Sequence, residues 1–202
     1  MIKNFLSFIV PVYNVERYIE QCLDSVVNQS LGIDNIEVIV VNDQTPDNSI
    51  AVVEKYAEKY PSIKIVTNEV NKGLGLSRNA GLSNATSDYV TFLDSDDFIS
   101  LNTFENSINK LKESNCDLLI YNWKVFTDGG PEEPLNIHNQ NTDEDKIIED
   151  ISEFPEIFLL TSACNKIYHK SLFKYLNYDK GLYEDNVVTC NVLLSAKNIY
   201  LS

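Results

Sequence analysis

The stretch YVTFLDSDD, residues 89–97, decides the fold, because a short apolar run ends directly in three carboxylates within four positions. The apolar part, rich in β-branched and aromatic residues, predicts a strand buried on both faces of a sheet. The carboxylates of Asp94, Asp96 and Asp97 repel one another unless water or a cation neutralises them. Oxygen ligands suit Mg²⁺ or Mn²⁺, so the motif suggests a divalent-cation site. The alternative, which the spacing leaves open, is an acidic turn that caps the next helix.

Predicted strands and helices alternate on both sides of this stretch. Apolar runs predict further strands at 6–10, 36–41, 63–66 and 118–123. Helical spacing predicts helices after an N-cap at Asn14, from an N-cap at Thr45-Pro46 to about Tyr60, over 74–82 and over 103–113. Strands separated by helices pair in parallel, with right-handed crossovers. The chain is therefore expected to form an α/β fold with a mostly parallel sheet.

The polar residues that follow each predicted strand are the first candidates for a binding site. In open α/β sheets, ligands bind beyond the carboxyl ends of the strands. Here those positions are Pro11–Asn14, Asn42-Asp43, Asn68–Lys72 and Asp94–Asp97. We expect these four clusters to meet at one edge of the sheet.

Composition narrows the classes of function. The 202 residues carry 30 Asp and Glu against 16 Lys and Arg, a formal net charge of −14. Such an acidic chain should repel nucleic-acid backbones, so nucleic acid is not an expected partner. Four scattered cysteines and two histidines argue for free thiols in a reducing compartment and against a zinc site. No apolar segment is long enough to span a bilayer. We expect a cytoplasmic protein, and peripheral association with the inner face of the membrane stays compatible with the sequence.

Two further segments could carry chemistry. In residues 71–81, glycines let the backbone approach a ligand, and Lys72 and Arg78 bring rare positive charge that could meet phosphates. The alternative there is a helix start with two solvated cations. The pair Glu184-Asp185 precedes an apolar helical stretch, where carboxylates favour the helix dipole. From the residues alone, this helix-terminus interpretation is preferred over a general base.

The second half of the chain is less regular. Residues 128–150 are polar and acidic, and we expect an exposed excursion there, with structure resuming near Ile151. We expect one domain over residues 1–202. Within it we distinguish a regular first half, residues 1–100, from the less regular second half, residues 101–202.

Taken together and in order, the motifs resemble the family-2 glycosyltransferases. The series consists of Ile9-Val10-Pro11-Val12-Tyr13-Asn14, Val41-Asn42-Asp43 with Asp47 and Ser49, Asn71-Lys72-Gly73-Leu74 with Arg78-Asn79 and Gly81, Asp94-Ser95-Asp96-Asp97, Asn165-Lys166-Ile167-Tyr168, and Glu184-Asp185. The resemblance runs from Ser7 to about Leu194. It implies the GT-A fold, a Rossmann-like α/β/α sandwich around a mostly parallel central sheet.

The resemblance also implies roles for individual residues. Pro11, Val12, Tyr13 and Asn14 would surround the nucleobase, with Asp43 hydrogen-bonded to it. The remaining donor-side residues would be Lys72 and Arg78 near the ribose and phosphates, Asp94 and Ser95 at the ribose, and Asp97 at the donor sugar. Asp96 would bind Mn²⁺ or Mg²⁺. Asp185 would be the catalytic base, supported by Glu184, which reverses the preference for a helix cap.

The implied reaction is an inverting transfer of a hexosyl or N-acetylhexosaminyl group. The donor would be a nucleotide sugar, commonly a UDP-sugar. The acceptor would be a hydroxyl on a glycan, on a polymer such as a teichoic-acid-like chain or other cell-surface polysaccharide, or on a glycoprotein. Gln44 departs from the glycine common at its position, and relatives usually continue beyond Ser202 with acceptor-side segments. A non-catalytic nucleotide-sugar-binding domain of the same fold is the main alternative.

Overall fold

A computed structural model describes residues 5–125, 133–134 and 145–202 of the chain. The strands within these ranges are β1 (Leu6–Val12), β2 (Ile36–Asn42), β3 (Ile63–Thr67), β4 (Tyr89–Phe92), β5 (Leu118–Ile120), β6 (Lys124–Val125), β7 (Glu133–Pro134), β8 (Lys146–Ile148), β9 (Lys166–His169) and β10 (Ile199–Leu201). The α-helices are α1 (Ile19–Val27), α2 (Ser49–Lys59), α3 (Leu74–Asn84), α4 (Thr103–Ser114) and α5 (Glu184–Ser195). Within the same ranges, no helix is long and apolar enough to cross a bilayer.

One eight-stranded sheet organises the described chain, in the order β3-β2-β1-β4-β9-β5-β10-β8. The neighbours β3, β2, β1 and β4 pair in parallel. Strand β9 is antiparallel to both β4 and β5, and β8 is antiparallel to β10. The remaining pair, β5 and β10, is parallel. The predicted α/β class and mostly parallel sheet are confirmed, and both halves of the chain contribute strands to that sheet.

Side chains that alternate along β1 feed two separate cores, one on each face of the sheet. Phe8 and Val10 pack in a cluster with buried residues of α1, α2 and α4. Ile9 points the other way, into a cluster with Leu82 of α3 and Val192 of α5. A fully buried central strand that serves two helical layers is what a doubly covered parallel sheet requires. The three-layer α/β/α arrangement is therefore as expected.

Two predicted helix starts are wrong. Helix α1 begins at Ile19 rather than just after Asn14, whose positive φ of 57° instead forms a turn. Helix α2 begins at Ser49 rather than at Thr45-Pro46. The reason is Asp47, whose carboxylate accepts hydrogen bonds from the Thr45 and Ser49 hydroxyls at 2.6 Å and from the Glu16 backbone N–H at 2.8 Å. Side-chain bonds of this kind compete with the helix for the backbone.

The predicted polar excursion at 128–150 is shorter than expected at its C-terminal end. Residues 126–132 and 135–144 lie outside the described residues. Lys146–Ile148, however, forms β8 and pairs with β10 at the edge of the main sheet. Strand β5 is also shorter than predicted, since it ends at Ile120 and not at Trp123. The backbone of β6 pairs with that of β7 in a separate two-stranded ribbon.

The amino end of β2 holds a buried carboxylate. Glu37 is fully buried and accepts hydrogen bonds from the Ser7 hydroxyl at 2.6 Å, the Thr86 backbone N–H at 2.8 Å and the Lys64 ammonium at 2.7 Å. Burial alone would raise the pKa of this carboxyl, but the bonds from Lys64, Ser7 and Thr86 outweigh it and lower the pKa. Glu37 thereby links β1, β2, β3 and the segment that precedes β4, at the end of the sheet opposite the carboxyl ends of these strands.

Candidate active site

A cavity of about 410 Å³ opens at the carboxyl ends of β1, β2 and β4. We call it the large cavity. Its lining residues are Pro11, Val12, Tyr13, Val15, Asp43, Asn71, Gly73, Leu74, Ser77, Asp94, Ser95 and Asp96. Seven of the residues predicted from sequence therefore meet here: Pro11, Val12, Tyr13, Asp43, Asp94, Ser95 and Asp96. The polar clusters that follow the parallel strands do converge, as the switch-point rule requires.

Asp43 anchors the wall of the large cavity. It is only 3% exposed, and its Oδ1 accepts hydrogen bonds from Asn68 Nδ2 at 2.7 Å and from the Lys72 backbone N–H at 2.8 Å. Its Oδ2 accepts one from the Gly73 N–H, also at 2.8 Å. Gly73 has φ of 89°, a left-handed conformation that glycine adopts freely. Charge-assisted bonds to consecutive N–H groups hold the loop before α3 against the end of β2.

The acidic row after β4 is only partly neutralised. Asp94 and Asp96 both line the large cavity, whereas Asp97 is not among its lining residues. Partial desolvation, followed by the charges of Asp94 and Asp96, raises the pKa of Asp97 to about 6. In the described part of the chain, no three His, Cys, Asp or Glu side chains come together as a metal-binding group. The row thus offers oxygen ligands, but not a complete protein cage.

Arg78 lies beneath this row. Its guanidinium donates to Asp94 Oδ1 at 3.0 Å and to Glu184 Oε1 at 2.5 Å. It also lies 5.5 Å from the ring centroid of Tyr178, and its side chain is 3% exposed. Burial opposes the charge, but the carboxylate of Asp94 outweighs it and raises the pKa of Arg78. The predicted contact of Arg78 with the ribose and phosphates stays a prediction, since both of its ion pairs are with carboxylates of the protein. Arg78 links the end of β4 to the start of α5.

Asp185 lies at a second cavity of about 240 Å³, which we call the small cavity. Its lining residues are Trp123, Leu159, Leu160, Thr161, Ser162, Asn165, Tyr183, Asp185 and Asn186. Glu184 and Asp185 form the first turn of α5, whose N-cap makes no side-chain hydrogen bond. Glu184 forms an ion pair with Arg78, whereas Asp185 makes no hydrogen bond or ion pair with another described residue. The two adjacent carboxylates thus have different surroundings.

Two further predicted residues line neither cavity. Asn14 is exposed, and its backbone N–H donates to the Thr45 hydroxyl at 2.8 Å. Lys72 contributes its backbone N–H to Asp43, and its side chain is half-buried. Asn14 follows the end of β1, and Lys72 stands between Asn71 and Gly73, which line the large cavity. Their predicted contacts with a nucleotide remain predictions.

Sequence reasoning missed the link between α3 and α5. Besides the ion pair from Arg78 to Glu184, Asn79 Nδ2 donates to the Tyr178 carbonyl at 2.7 Å, and Asn79 Oδ1 accepts from the Tyr178 N–H at 2.9 Å. The partners are about 100 positions apart, so no local pattern could reveal them. Only the co-occurrence of Arg78-Asn79 and Glu184 in one motif series hinted at the contact.

Gly75 allows this close approach. A Cβ at position 75 would collide with the carbonyl oxygen of Asp179 and with the side chain of Glu184. The first turn of α3 is thus packed directly against the segment that leads into α5. We call this contact, together with the Arg78 ion pairs, the partition, because it joins Asp94, which lines the large cavity, to Glu184, the neighbour of Asp185.

Known proteins are similar to this chain in sequence and in fold. The family model "Glycosyl transferase family 2" matches residues 7–176. The chain is 36% identical over 211 residues to glycosyltransferase GlyA of Streptococcus pneumoniae, which covers 100% of this chain and 30% of that protein. It is 33% identical over 195 residues to the minor teichoic acid biosynthesis protein GgaB of Bacillus subtilis, covering 96% of this chain and 21% of that protein.

Solved structures agree with these relatives. The crystal structure of Staphylococcus aureus TarS 1–349 in complex with UDP-GlcNAc superposes with a TM-score of 0.86 at 30% identity, covering 98% of this chain and 56% of that chain. A mannosyltransferase from Pyrobaculum calidifontis, at 16% identity and a TM-score of 0.68, shares the fold alone. The chain spans between about a fifth and a third of the two curated relatives described above. Family model, relatives and architecture agree that the chain belongs to glycosyl transferase family 2 and has the GT-A fold.

Proposed function

We propose that this chain is the catalytic domain of an inverting glycosyltransferase that moves a hexosyl or N-acetylhexosaminyl group from a UDP-sugar to an acceptor hydroxyl. One observation carries the proposal. The ion pairs of Arg78 join Asp94, in the wall of the large cavity, to Glu184, whose neighbour Asp185 lines the small cavity and has no partner among the described residues. A two-substrate transfer needs such a pair of adjoining spaces, with a base at their boundary.

The donor nucleotide occupies the large cavity in this proposal. Pro11, Val12 and Tyr13 form the wall at the end of β1, and the half-exposed ring of Tyr13 is available to stack on a base. Asp43 shapes the wall and keeps a free lone pair for the base. Lys72 supplies positive charge toward the phosphates. The lining of this cavity lies entirely within residues 11–96, which supports a nucleotide-binding half at 1–100.

A divalent cation fits the chemistry of the acidic row. Asp96 is exposed at the large cavity. Partial desolvation, followed by the charges of Asp94 and Asp96, raises the pKa of Asp97. Mg²⁺ and Mn²⁺ accept few protein carboxylates and complete their shell with phosphate oxygens and water. We propose Asp96 as the protein ligand, with Asp94 and Ser95 at the ribose. When bound, the ion would neutralise charge on the departing diphosphate.

Asp185 is the proposed general base at the small cavity. It accepts the proton of the acceptor hydroxyl while that oxygen bonds to the anomeric carbon, and the bond from that carbon to UDP breaks. Attack from the face opposite UDP inverts the anomeric centre. Asp185 suits this role better than Glu184, whose carboxylate is already paired with Arg78. The lining of the small cavity lies within residues 123–186, which supports an acceptor-side half at 101–202.

We further propose a polyhydroxylated polymer of the teichoic-acid type as the acceptor. The support is the names of relatives: GgaB is a minor teichoic acid biosynthesis protein, and TarS is a poly(ribitol-phosphate) β-N-acetylglucosaminyltransferase. A cytoplasmic place of action fits the four cysteines, which are all unpaired. Association with the inner membrane face, where a lipid-linked polymer would be extended, is part of the same proposal.

The experiment is a binding and turnover assay on the wild-type chain. Isothermal titration with UDP should show binding that strengthens with Mn²⁺ and weakens with EDTA. UDP release from UDP-GlcNAc should rise when poly(ribitol phosphate) is added. Binding without any polymer-dependent release, across a panel of UDP-sugars and polymers, would favour a nucleotide-sugar-binding domain. Absence of UDP binding by a folded protein would reject the proposal.

A further inference from the structure

The first residue of β9 is a buried lysine. Lys166 is 0% exposed, although lysine is almost never fully buried unless it is paired with a carboxylate. Among the described residues, no carboxylate lies within ion-pair distance of its ammonium. Lys166 belongs to the Asn165-Lys166-Ile167-Tyr168 motif, but neither the roles implied by the resemblance nor the proposed mechanism includes its side chain.

The ammonium of Lys166 instead holds the segment that precedes it. Its Nζ donates to the Ser162 carbonyl at 2.7 Å and to Asn165 Oδ1 at 2.8 Å. Asn165 in turn donates from Nδ2 to the Tyr121 carbonyl at 3.1 Å and has a positive φ of 59°. Ser162 and Asn165 both line the small cavity together with Asp185. One charged group therefore fixes a wall of the cavity and a strained backbone position within it.

This arrangement is costly in stability. Taking an ammonium out of water is unfavourable, and hydrogen bonds to neutral oxygens offset the cost only in part. Burial lowers the pKa of Lys166 to about 7, with Cys164 and Asp185 acting in the opposite direction. Methionine has a similar length and would bury without that penalty. Such a methionine would, however, leave the Ser162 carbonyl and Asn165 Oδ1 without the donor that holds them.

We propose that Lys166 is a positioning residue for the acceptor side. It fixes the 162–165 wall of the small cavity, which Asp185 also lines, so that the acceptor hydroxyl and the base meet in a productive arrangement. The inference rests on the proposed function, because it assigns the small cavity to the acceptor. The two oxygens to which the Lys166 ammonium donates belong to residues that are not in the lining of the large cavity.

The test compares the Lys166→Met, Lys166→Arg and Lys170→Met variants with the wild type. Lys170 is the matched control, because its Nζ bonds to the Ala85 carbonyl, outside both cavities. The assays are thermal unfolding, titration with UDP and Mn²⁺, and UDP release from UDP-GlcNAc with poly(ribitol phosphate). For Lys166→Met we expect Tm within about 5 °C of the wild type, because removing the buried charge offsets the loss of two hydrogen bonds. UDP affinity and donor KM should stay within about twofold, and kcat should fall by about tenfold or more. Lys166→Arg should recover part of kcat, and Lys170→Met should leave kcat unchanged.

A second variant guards against misfolding at position 166. Asn165→Gly keeps the positive φ without strain and removes the side chain that Lys166 holds, so kcat should fall while UDP affinity stays the same. A folded Lys166→Met protein with wild-type kcat would overturn the inference and leave the proposed function intact. A parallel loss of Tm and UDP affinity would also overturn it, because a merely structural role predicts that pattern. A wild type that neither binds UDP nor transfers would remove the proposed function, and this inference with it.

Discussion

The two cavities differ in how their walls are made. The large cavity is lined by the ends of β1, β2 and β4 and by the start of α3, all within the first hundred residues. The small cavity is lined by Trp123, the segment from Leu159 to Asn165, and the start of α5. The ends of regular strands form most of the wall of the large cavity. The wall of the small cavity consists of irregular segments and a helix start, which buried polar contacts such as those of Lys166 and Arg78 hold in place. Donor recognition should therefore depend on the sheet, and acceptor chemistry on individual charged side chains.

The largest expected effect is on the acceptor side. Asp185→Asn keeps the size of the side chain but removes its basicity, so kcat should fall by about 10²–10⁴-fold. UDP affinity should stay the same, because the side chain lies at the other cavity. Steady-state kinetics together with UDP titration measure both quantities. The control is Asp179→Asn, on an exposed loop, which should change neither. Full activity of Asp185→Asn would exclude Asp185 as the base.

Breaking the partition should affect both cavities at once. Arg78→Met leaves the carboxylates of Asp94 and Glu184 close together without their shared cation. Removing one partner of a buried ion pair costs about 3–5 kcal/mol, and we expect that loss in the free energy of unfolding. Denaturant unfolding monitors it, with exposed Arg17→Met as the control. A free energy of unfolding within about 1 kcal/mol of the wild type would mean that the ion pairs of Arg78 do not hold the end of β4 and the start of α5 together.

A smaller effect is expected when the wall of the large cavity is weakened. Asp43→Asn loses the charge that strengthens the bonds from the Lys72 and Gly73 N–H groups, a loss of about 1–2 kcal/mol. UDP affinity should fall by about tenfold, and kcat at saturating donor should change little. Titration with UDP checks the first expectation and kinetics the second. Exposed Asp34→Asn should match the wild type. A loss confined to kcat would contradict the assignment of Asp43 to the donor side.

The smallest effect should come from the opposite edge of the sheet. Because the pKa of Glu37 is lowered by folding, its contribution to stability is present above the unfolded value of roughly 4.3 and is lost as pH falls through the folded value. Glu37→Gln should therefore lower Tm at pH 7, and the gap to the wild type should narrow on acidification toward pH 3. Exposed Glu54→Gln is the control, and UDP affinity at pH 7 should not change. A gap that does not vary with pH would show that charge is not the cause.

The fold was largely predictable from sequence, for a physical reason. Buried runs such as residues 36–41 and 89–92 are continuous and bounded by polar residues, so these strands and their converging ends followed from general rules. Helix starts failed where Asp47 and the positive φ of Asn14 replaced helical bonds with side-chain and turn contacts. Seven of the residues predicted for the donor side line one cavity because they follow strands directly, and their roles stay predictions. The link from Arg78 to Glu184 spans 106 positions, and no local periodicity encodes a contact at that separation.

Gly75 shows how an absent side chain can set a distance. Where α3 meets the 178–184 segment, there is no room for even a methyl group. In the proposed reaction, the spacing between a donor in the large cavity and a base at the start of α5 therefore depends on a residue that need touch neither substrate. Larger residues at this position would act as a wedge, pushing the two reacting groups apart while leaving every catalytic side chain present.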